Sequence, residues 1–423
     1  MTPPDASPDD ASVVIVSRHR AASLARCLVA LSQQDHPRFE VIVVADPEGL
    51  AAAQATGLGL KLVGFDQPNI SAARNLGLAQ AAAPLVAFID DDAVAEATWL
   101  SRLVRPFHLP DVVASTGFVR GRNGISYQWR AASVDARGQD HPLEVPEEGA
   151  VLPSRPGFAV KTVGTNCAFR AAALRAVGGF DPAYRFYLDE ADVNLRLGPQ
   201  GLTAIVPLAQ VHHGFEASPR RRADRVPTDL QEIAASTAVF LRRHAPEALG
   251  GGLALLREQQ KARLDRHRKA GRLTVAEVTA LLKGLEQGWA DGESRALREF
   301  APLRAVTPDL KPLADTGPRP GLVLAGRIWS RRRLLREAKL KAPQAIVTVY
   351  SLSPTPRRHS VRFDPHGFWL HQGGLFGQVL RAGPRLRLLG FGARIRLECR
   401  YWAKFRPMDA EPCREGKFIG DET

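Results

Sequence analysis

Cysteine is scarce in this chain of 423 residues. The four present, Cys27, Cys167, Cys399 and Cys413, are scattered, and no two have the spacing of a metal or redox pair. That argues against a disulfide-stapled scaffold and predicts free thiols in a reducing compartment. Long apolar runs are also missing: no uncharged stretch approaches the ~20 residues of a membrane-spanning helix. The start, Met1-Thr2-Pro3-Pro4-Asp5, is acidic and proline-rich, without the pattern of a secretory signal. A cytoplasmic protein is expected. Internal repeats are absent too. What remains is ordinary globular material, 45% hydrophobic and 24% charged, at a length that suits two or three domains.

Positive charge is in excess only in the back half. Residues 1–215 carry 18 Lys and Arg against 22 Asp and Glu, whereas residues 216–423 carry 39 against 22. An acidic-to-neutral front and a strongly basic back suggest chemistry in front and attachment to something anionic behind.

Along the chain, Val13-Val14-Ile15-Val16 reads as a buried strand, followed by a helix with Leu24, Leu28 and Leu31 at helical spacing. Phe39–Val44 is a second strand ending at Asp46. A third around Leu62-Val63 precedes an alanine-rich helix through Ser71-Ala72-Ala73-Arg74-Asn75. Pro84–Ile89 is the fourth, and Asp90-Asp91-Asp92 closes it. This alternation implies a parallel, helix-covered α/β sheet. Helix is expected at Phe169–Val177, broken by Gly178-Gly179, again near Asp189–Leu197, and over most of 220–300. Short strands in a small β-containing unit are expected beyond 318. The divisions are therefore 1–215 (about 12–105 and 106–215), a mostly helical 216–317, and a basic unit at 318–423.

Carboxylates at the carboxyl edge of such a sheet stand where ligands bind. With no basic partner close in sequence, the triplet suits a hard divalent cation, which one or two carboxylates and a substrate phosphate commonly hold. The same residues would also serve as a polar turn capping the next helix.

Together these segments resemble the family 2 glycosyltransferases. The resemblance rests on Ser12–Arg20, Glu40–Asp46, Ser71–Gly77, Phe88–Asp92, Gly164–Arg170, Gly178–Asp181, Leu188–Val193 and His212-His213-Gly214, in that order, over about the first 215 residues. It implies the GT-A fold: a Rossmann-like, mostly parallel sheet with helices on both faces. It also implies inverting transfer of a sugar from a nucleotide-sugar donor to a glycan or lipid-linked acceptor, with Mg2+ or Mn2+ neutralising the leaving diphosphate. By that resemblance Asp92 holds the metal and Asp91 the ribose. Asp46 bonds the nucleobase edge, and Arg74 lies near base and phosphates. Glu190, in Asp189-Glu190-Ala191-Asp192, takes the place of the catalytic base, where the family more often has aspartate, and Asp189 and Asp192 support it. Three acids opening a helix would also favour its dipole without any catalytic part. A histidine here completes the metal shell or contacts phosphate in relatives; the pair leaves the choice open, and His212 is taken before His213. Gly164, Thr165 and Asn166 line the acceptor side.

Two departures stand out. Arg18 replaces the tyrosine that packs on the nucleobase in relatives, and a guanidinium plane can stack there instead. Ala45 replaces the first member of an Asp-Asp pair. Both leave the donor nucleotide open.

In the back half, residues 326–341, with Trp329 among arginines, read as a basic amphipathic helix able to lie on an anionic membrane. A solvated helix face is the alternative. No nucleic-acid motif accompanies the charge, which argues against a nucleic-acid partner. Against glycosyl transfer stand a sugar-nucleotide nucleotidyltransferase, which needs a glycine-rich loop that Ser17-Arg18-His19-Arg20 does not supply, and a non-catalytic binding protein with a basic recruitment tail.

Overall fold

A computed structural model describes residues 9–214, 216, 218, 220–304 and 308–408. Met1–Asp5, Cys413 and the last part of the basic unit lie outside the described residues.

The first strand, Ala11–Ser17, sits at the centre of a ten-stranded sheet. It pairs in parallel with Phe39–Ala45 on one side and Leu85–Asp90 on the other, and Lys61–Gly64 adds a further parallel edge. Past Leu85–Asp90 the strand Asn166–Arg170 runs antiparallel, and beyond it Val112–Arg120 and Leu202–His213 return to the original direction. Six strands thus point one way and deliver their carboxyl ends to one edge. Near-continuous Val, Ile and Leu make this possible, because a sheet covered on both faces must be apolar on both.

The two faces alternate residue by residue. Val13, Ile15, Val41 and Val43 pack against Leu24, Leu28 and Leu31 of the helix Ala21–Leu31 and against Trp99 and Leu103. Val14, Ile42, Val44 and Phe88 pack against Ala73 and Leu78 of the helix Ile70–Gln80, and against Leu174 and Val193. Gly77 permits the closest approach there: a Cβ on it would lie 2.3 Å from Val14 Cγ1.

In this part of the chain two expectations change. Phe169 lies in the strand Asn166–Arg170, and the helix begins only at Ala171. A short buried apolar run cannot be told from a helix by periodicity alone, and here sheet pairing decides. The aspartate triplet does not cap a helix. Asp90 ends its strand, a turn follows, and Ala93–Ala95 pairs antiparallel with Val211–His213, while the next helix starts at Trp99.

Helices Gln231–His244, Leu249–Lys269 and Val275–Ser294 share their own core of Leu241, Leu256, Leu285 and Trp289. Phe240 of the first reaches back to Tyr184 and Leu188. The chain then returns along the sheet edge, where the Leu313 amide donates to Phe39 O at 2.7 Å.

Beyond 320 lies a second sheet: Gly321–Arg327, Ile346–Ser353 and Phe368–Gly374 are parallel, with Ser360–Asp364 antiparallel at the edge. The basic segment 326–341 is not one helix. Arg327 ends the strand, Ile328–Ser330 forms a 3-10 turn, and the helix is Arg331–Lys341. This unit docks on the first sheet through Trp369, Trp402 and Phe405 against Val94, Ala97 and Ala30. Among the described residues no helix is long and apolar enough to cross a membrane.

Candidate active site

Three strand ends build the front of the site. Ser17 closes the first strand and donates its hydroxyl to Asp91 Oδ2 at 2.7 Å, while Arg20 Nη1 donates to Asp91 Oδ1 at 3.0 Å. Asp91 is almost wholly buried. Burial pushes its carboxyl up, Arg20 opposes this, the Asp92 charge adds to it, and the result is about 7. Asp46 stands just before the helix Pro47–Gln54 without capping it through its side chain, and accepts the His19 amide at 3.0 Å. Arg18 Nε donates to Asp66 Oδ1 at 2.7 Å, placing a second acid beside the expected nucleobase position.

Asp92 faces the other way. Its Oδ2 accepts the Glu216 amide at 2.8 Å, and its Oδ1 lies 3.0 Å from His213 Nε2. Burial alone would raise its pKa. His213, Arg20 and the Glu216 amide outweigh that and hold it at about 2. Carboxylate oxygens of Asp90 and Asp92 and a ring nitrogen of His213 all lie within 4.8 Å of one another. Two carboxylates and an imidazole are a donor set that fits a divalent cation, so these residues would hold one. Burial works against a charged His213, yet Asp92 raises its pKa, so a metal has a proton to displace there.

The histidine beside the aspartates is His213, not His212. Neighbouring strand residues point to opposite faces. His213 faces Asp92, while His212 turns inward, its Nε2 2.8 Å from Glu96 Oε1 and its ring against Trp369 and Trp402. Burial, opposed by Glu96, takes the His212 imidazole down to about 4.

The base motif lies across the site. Tyr187 (φ 76°) and Leu188 (φ 65°) are both left-handed, a costly conformation for such side chains. This double turn launches the helix Asp189–Leu197. Arg74 from the helix Ile70–Gln80 grips both Asp189 and Glu190, the latter at 2.8 Å, and its Nη2 reaches to 3.8 Å from Asp90. Asp189 is buried and its pKa is pushed well up by that burial and by Glu190. Glu190 keeps a fifth of its side chain exposed; burial raises its pKa but Arg74 wins, holding it below the usual range. Arg74 thus stands at the base motif, where the resemblance put it near base and phosphates. Gly164 makes room for this pair: a Cβ there would lie 2.0 Å from both Arg74 Nη2 and Glu190 Oε1.

The supporting residues divide. Thr165 Oγ1 donates to Asp90 Oδ2 at 2.5 Å and is within the site. Asn166 is not on the acceptor side. It is wholly buried, accepting from Trp99 Nε1 at 2.7 Å and donating to Ala209 O and Phe118 O, so its polar groups are occupied in the core. Asp192 is bonded to Arg196 and to His244 Nε2 at 2.8 Å, tying the base helix to the helical segment. Sequence reasoning singled out none of Ser17, Arg20 and Asp66, named Asp90 only as a member of the triplet, and set His213 second to His212. Ser17 and Arg20 stood inside a quoted motif, where a strand end leading to the aspartates was the available signal.

Residues 12–178 match the family described as Glycosyl transferase family 2. The chain is 30% identical over 213 residues to the Pre-mycofactocin glycosyltransferase of Mycobacterium tuberculosis, covering 46% of this chain and 42% of that one. It is 28% identical over 241 residues to the O-antigen biosynthesis protein RfbC of Myxococcus xanthus, covering 51% and 18%. The chain thus spans less than half the length of these curated relatives. Among solved structures, GalNAc-T7 with UDP, GalNAc and Mn2+ aligns at a TM-score of 0.43 and 15% identity, over 66% of this chain and 54% of that one. The family match covers the part of the chain that carries the aspartate triplet.

Proposed function

We propose that the protein transfers a sugar from a nucleotide-sugar donor to a glycan or lipid-linked acceptor, with inversion, in assembling a cell-surface polysaccharide. One observation carries the reading: the Asp90–Asp92–His213 cluster and the Glu190 carboxylate meet at opposite ends of one buried arginine, Arg74. Inversion needs a base on the face opposite the leaving group, and this arrangement supplies two acidic centres with separate tasks. A divalent cation, Mg2+ or Mn2+, would supply electrostatic stabilisation of the departing diphosphate. Asp91, held by Ser17 and Arg20, faces the ribose, and Asp46 with Arg18 frames the nucleobase. Arg74 keeps Glu190 ionised and aimed, so that it can take the proton of the acceptor hydroxyl. Residues 1–215 act as the transferase domain, 216–317 as a buttress behind the base helix, and 318–423 as a docked accessory unit.

The test is thermal. Nucleoside diphosphates screened with Mn2+ or Mg2+ should raise the melting temperature of the wild type, because a ligand bound only by the native state stabilises it. Asp92→Asn should abolish the metal-dependent part of that rise while folding normally. An undiminished rise in the variant would remove Asp92 from the metal site.

A further inference from the structure

The second sheet carries a strand-turn-helix unit that the transfer site does not use. Gly321–Arg327 and Ile346–Ser353 run parallel, and the chain passes between them through the turn Ile328–Ser330 and, directly after it, the helix Arg331–Lys341. Leu334 and Ala338 of that helix pack on Val347 and Val349. The helix Phe391–Trp402, which follows the parallel strand Phe368–Gly374, instead packs Ile395 and Cys399 with Tyr350 and Leu352. The two helices thus cover opposite faces, and their connections part outside the carboxyl end of Ile346–Ser353. Parallel sheets take ligands at such a place, and phosphates at the start of the helix that follows the strand.

This helix start opposes its own electrostatics. Arg331, Arg332 and Arg333 fill the first turn, with no acid among them. From Gly326 to Arg336 there are five arginines and no Asp or Glu. Cations are unfavourable at the positive end of a helix dipole. The leading amides of a helix have no partner within it, and Ser330 does not cap them, because its Oγ turns back to Arg327 O at 2.8 Å.

Two polar side chains reinforce the point. Arg331 Nε is buried with no hydrogen-bond partner among the described residues, and so is Oγ of Ser351, a residue only 3% exposed. Ser351 shares a strand face with Val347 and Val349, so its hydroxyl is directed at the first turn of the helix they support. Its ladder partner Gly326 lies against the same turn: a Cβ there would be 2.4 Å from Ser330 Oγ. An unpaired buried donor is costly, and an anion with several oxygens can accept from hydroxyl, guanidinium and amides together. Ile328, Trp329, Arg331, Arg332 and Leu335 line a cavity of about 520 Å³, open to solvent, on this turn.

We propose that the turn Ile328–Ser330, Arg331 and Ser351 form a phosphate-binding site on the accessory unit, separate from the Asp90–Asp92–His213 cluster. Its ligand is a phosphate monoester whose oxygens accept from the leading amides and the two side chains, while an apolar part lies against Ile328 and Trp329.

Calorimetric titration of the full-length protein in EDTA tests this, with monomeric dihexanoyl phosphatidic acid, inorganic phosphate and neutral dihexanoylglycerol as probes. Wild type should bind the phosphatidic acid. Arg331→Gln should weaken it about tenfold or more, the scale of a lost charge-assisted hydrogen bond, and Ser351→Ala should weaken it severalfold. Unchanged melting temperatures of the ligand-free variants show that both fold. Ser330→Asp, which supplies the helix start with a carboxylate of its own, should raise the melting temperature and abolish binding. Nucleoside diphosphate with Mn2+ should stabilise Arg331→Gln as it does wild type, which separates this site from the donor's. Inorganic phosphate as tight as the phosphatidic acid supports a site for free phosphate; weaker binding supports a lipid-borne one. No binding by wild type, equal binding of dihexanoylglycerol, or undiminished binding in Arg331→Gln or Ser351→Ala overturns the proposal.

Discussion

At the scale of single residues, the site depends on who faces whom. Glu190 and Asp189 are neighbours with opposite protonation tendencies, set by one guanidinium and unequal burial. Glu190→Gln should leave donor binding nearly intact and lower turnover about a hundredfold or more, the usual contribution of a general base. Equal loss of donor affinity would make Glu190 a donor-side residue. Gly164→Ala should act through the same pair, since its methyl would occupy space now held by Arg74 and Glu190. We expect turnover to fall about a hundredfold, because misplacement by ~1 Å can cost that much, with donor-induced stabilisation retained. The histidines give a paired test. His213→Ala should weaken Mn2+ binding measured by calorimetry, whereas His212→Ala should leave metal affinity and lower the melting temperature. A reversed result would return the metal role to His212.

At the scale of elements, the loop and helix after Gly321–Arg327 present an unusual surface. Trp329 is 73% exposed and Ile328 47%, beside Arg331 and Arg332, while Leu334 and Ala338 face the unit's own core. An exposed aromatic among cations suits the interface of an anionic bilayer, where each basic residue adds about 1 kcal/mol within a Debye length. We therefore expect sedimentation with phosphatidylglycerol vesicles at low salt, little with phosphatidylcholine, and marked loss in an Arg331/Arg332/Arg333 triple alanine variant. Sedimentation indifferent to lipid charge would leave this helix as a solvated face.

At the scale of the whole molecule, the two sheets meet through a buried polar seam. Arg406 Nη2 lies 3.4 Å from Glu96 Oε1, which also receives His212, and His359 and His371 lie 3.0 Å apart behind them. Arg406→Met should cost about 3–5 kcal/mol, because removing one partner strands a buried charge; denaturant titration reads it. Burial holds His359, His371 and His212 below their ordinary value, with Arg394, Arg406 and Arg120 respectively adding to it. The unfolded chain therefore binds more protons than the native one below about pH 6.5. Stability should be full above that pH and fall as pH drops towards the folded value, about 4 for His212. A melting temperature constant from pH 7 to 4.5 would contradict these neutral imidazoles.

The sequence by itself determined the doubly covered sheet, because Val13–Val16, Phe39–Val44 and Leu85–Ile89 are apolar on both faces and only helices can cover such strands. It also put the aspartate triplet at the end of a strand, whereas the roles of Asp91, Asp92 and Glu190 came from the family resemblance alone. Tertiary structure alone decided the rest. Which of two adjacent histidines meets Asp92 depends on the pleat of Leu202–His213 and its pairing with Ala93–Ala95. Whether Asn166 faces an acceptor or the core depends on Trp99 and Ala209, distant in sequence. The helix Phe391–Trp402 and the strand ending at Arg327 took shape through packing in the second sheet. Local pattern reports which faces are apolar; it does not report which element will cover them, and at His212, Asn166 and Arg74 the covering partner set the role.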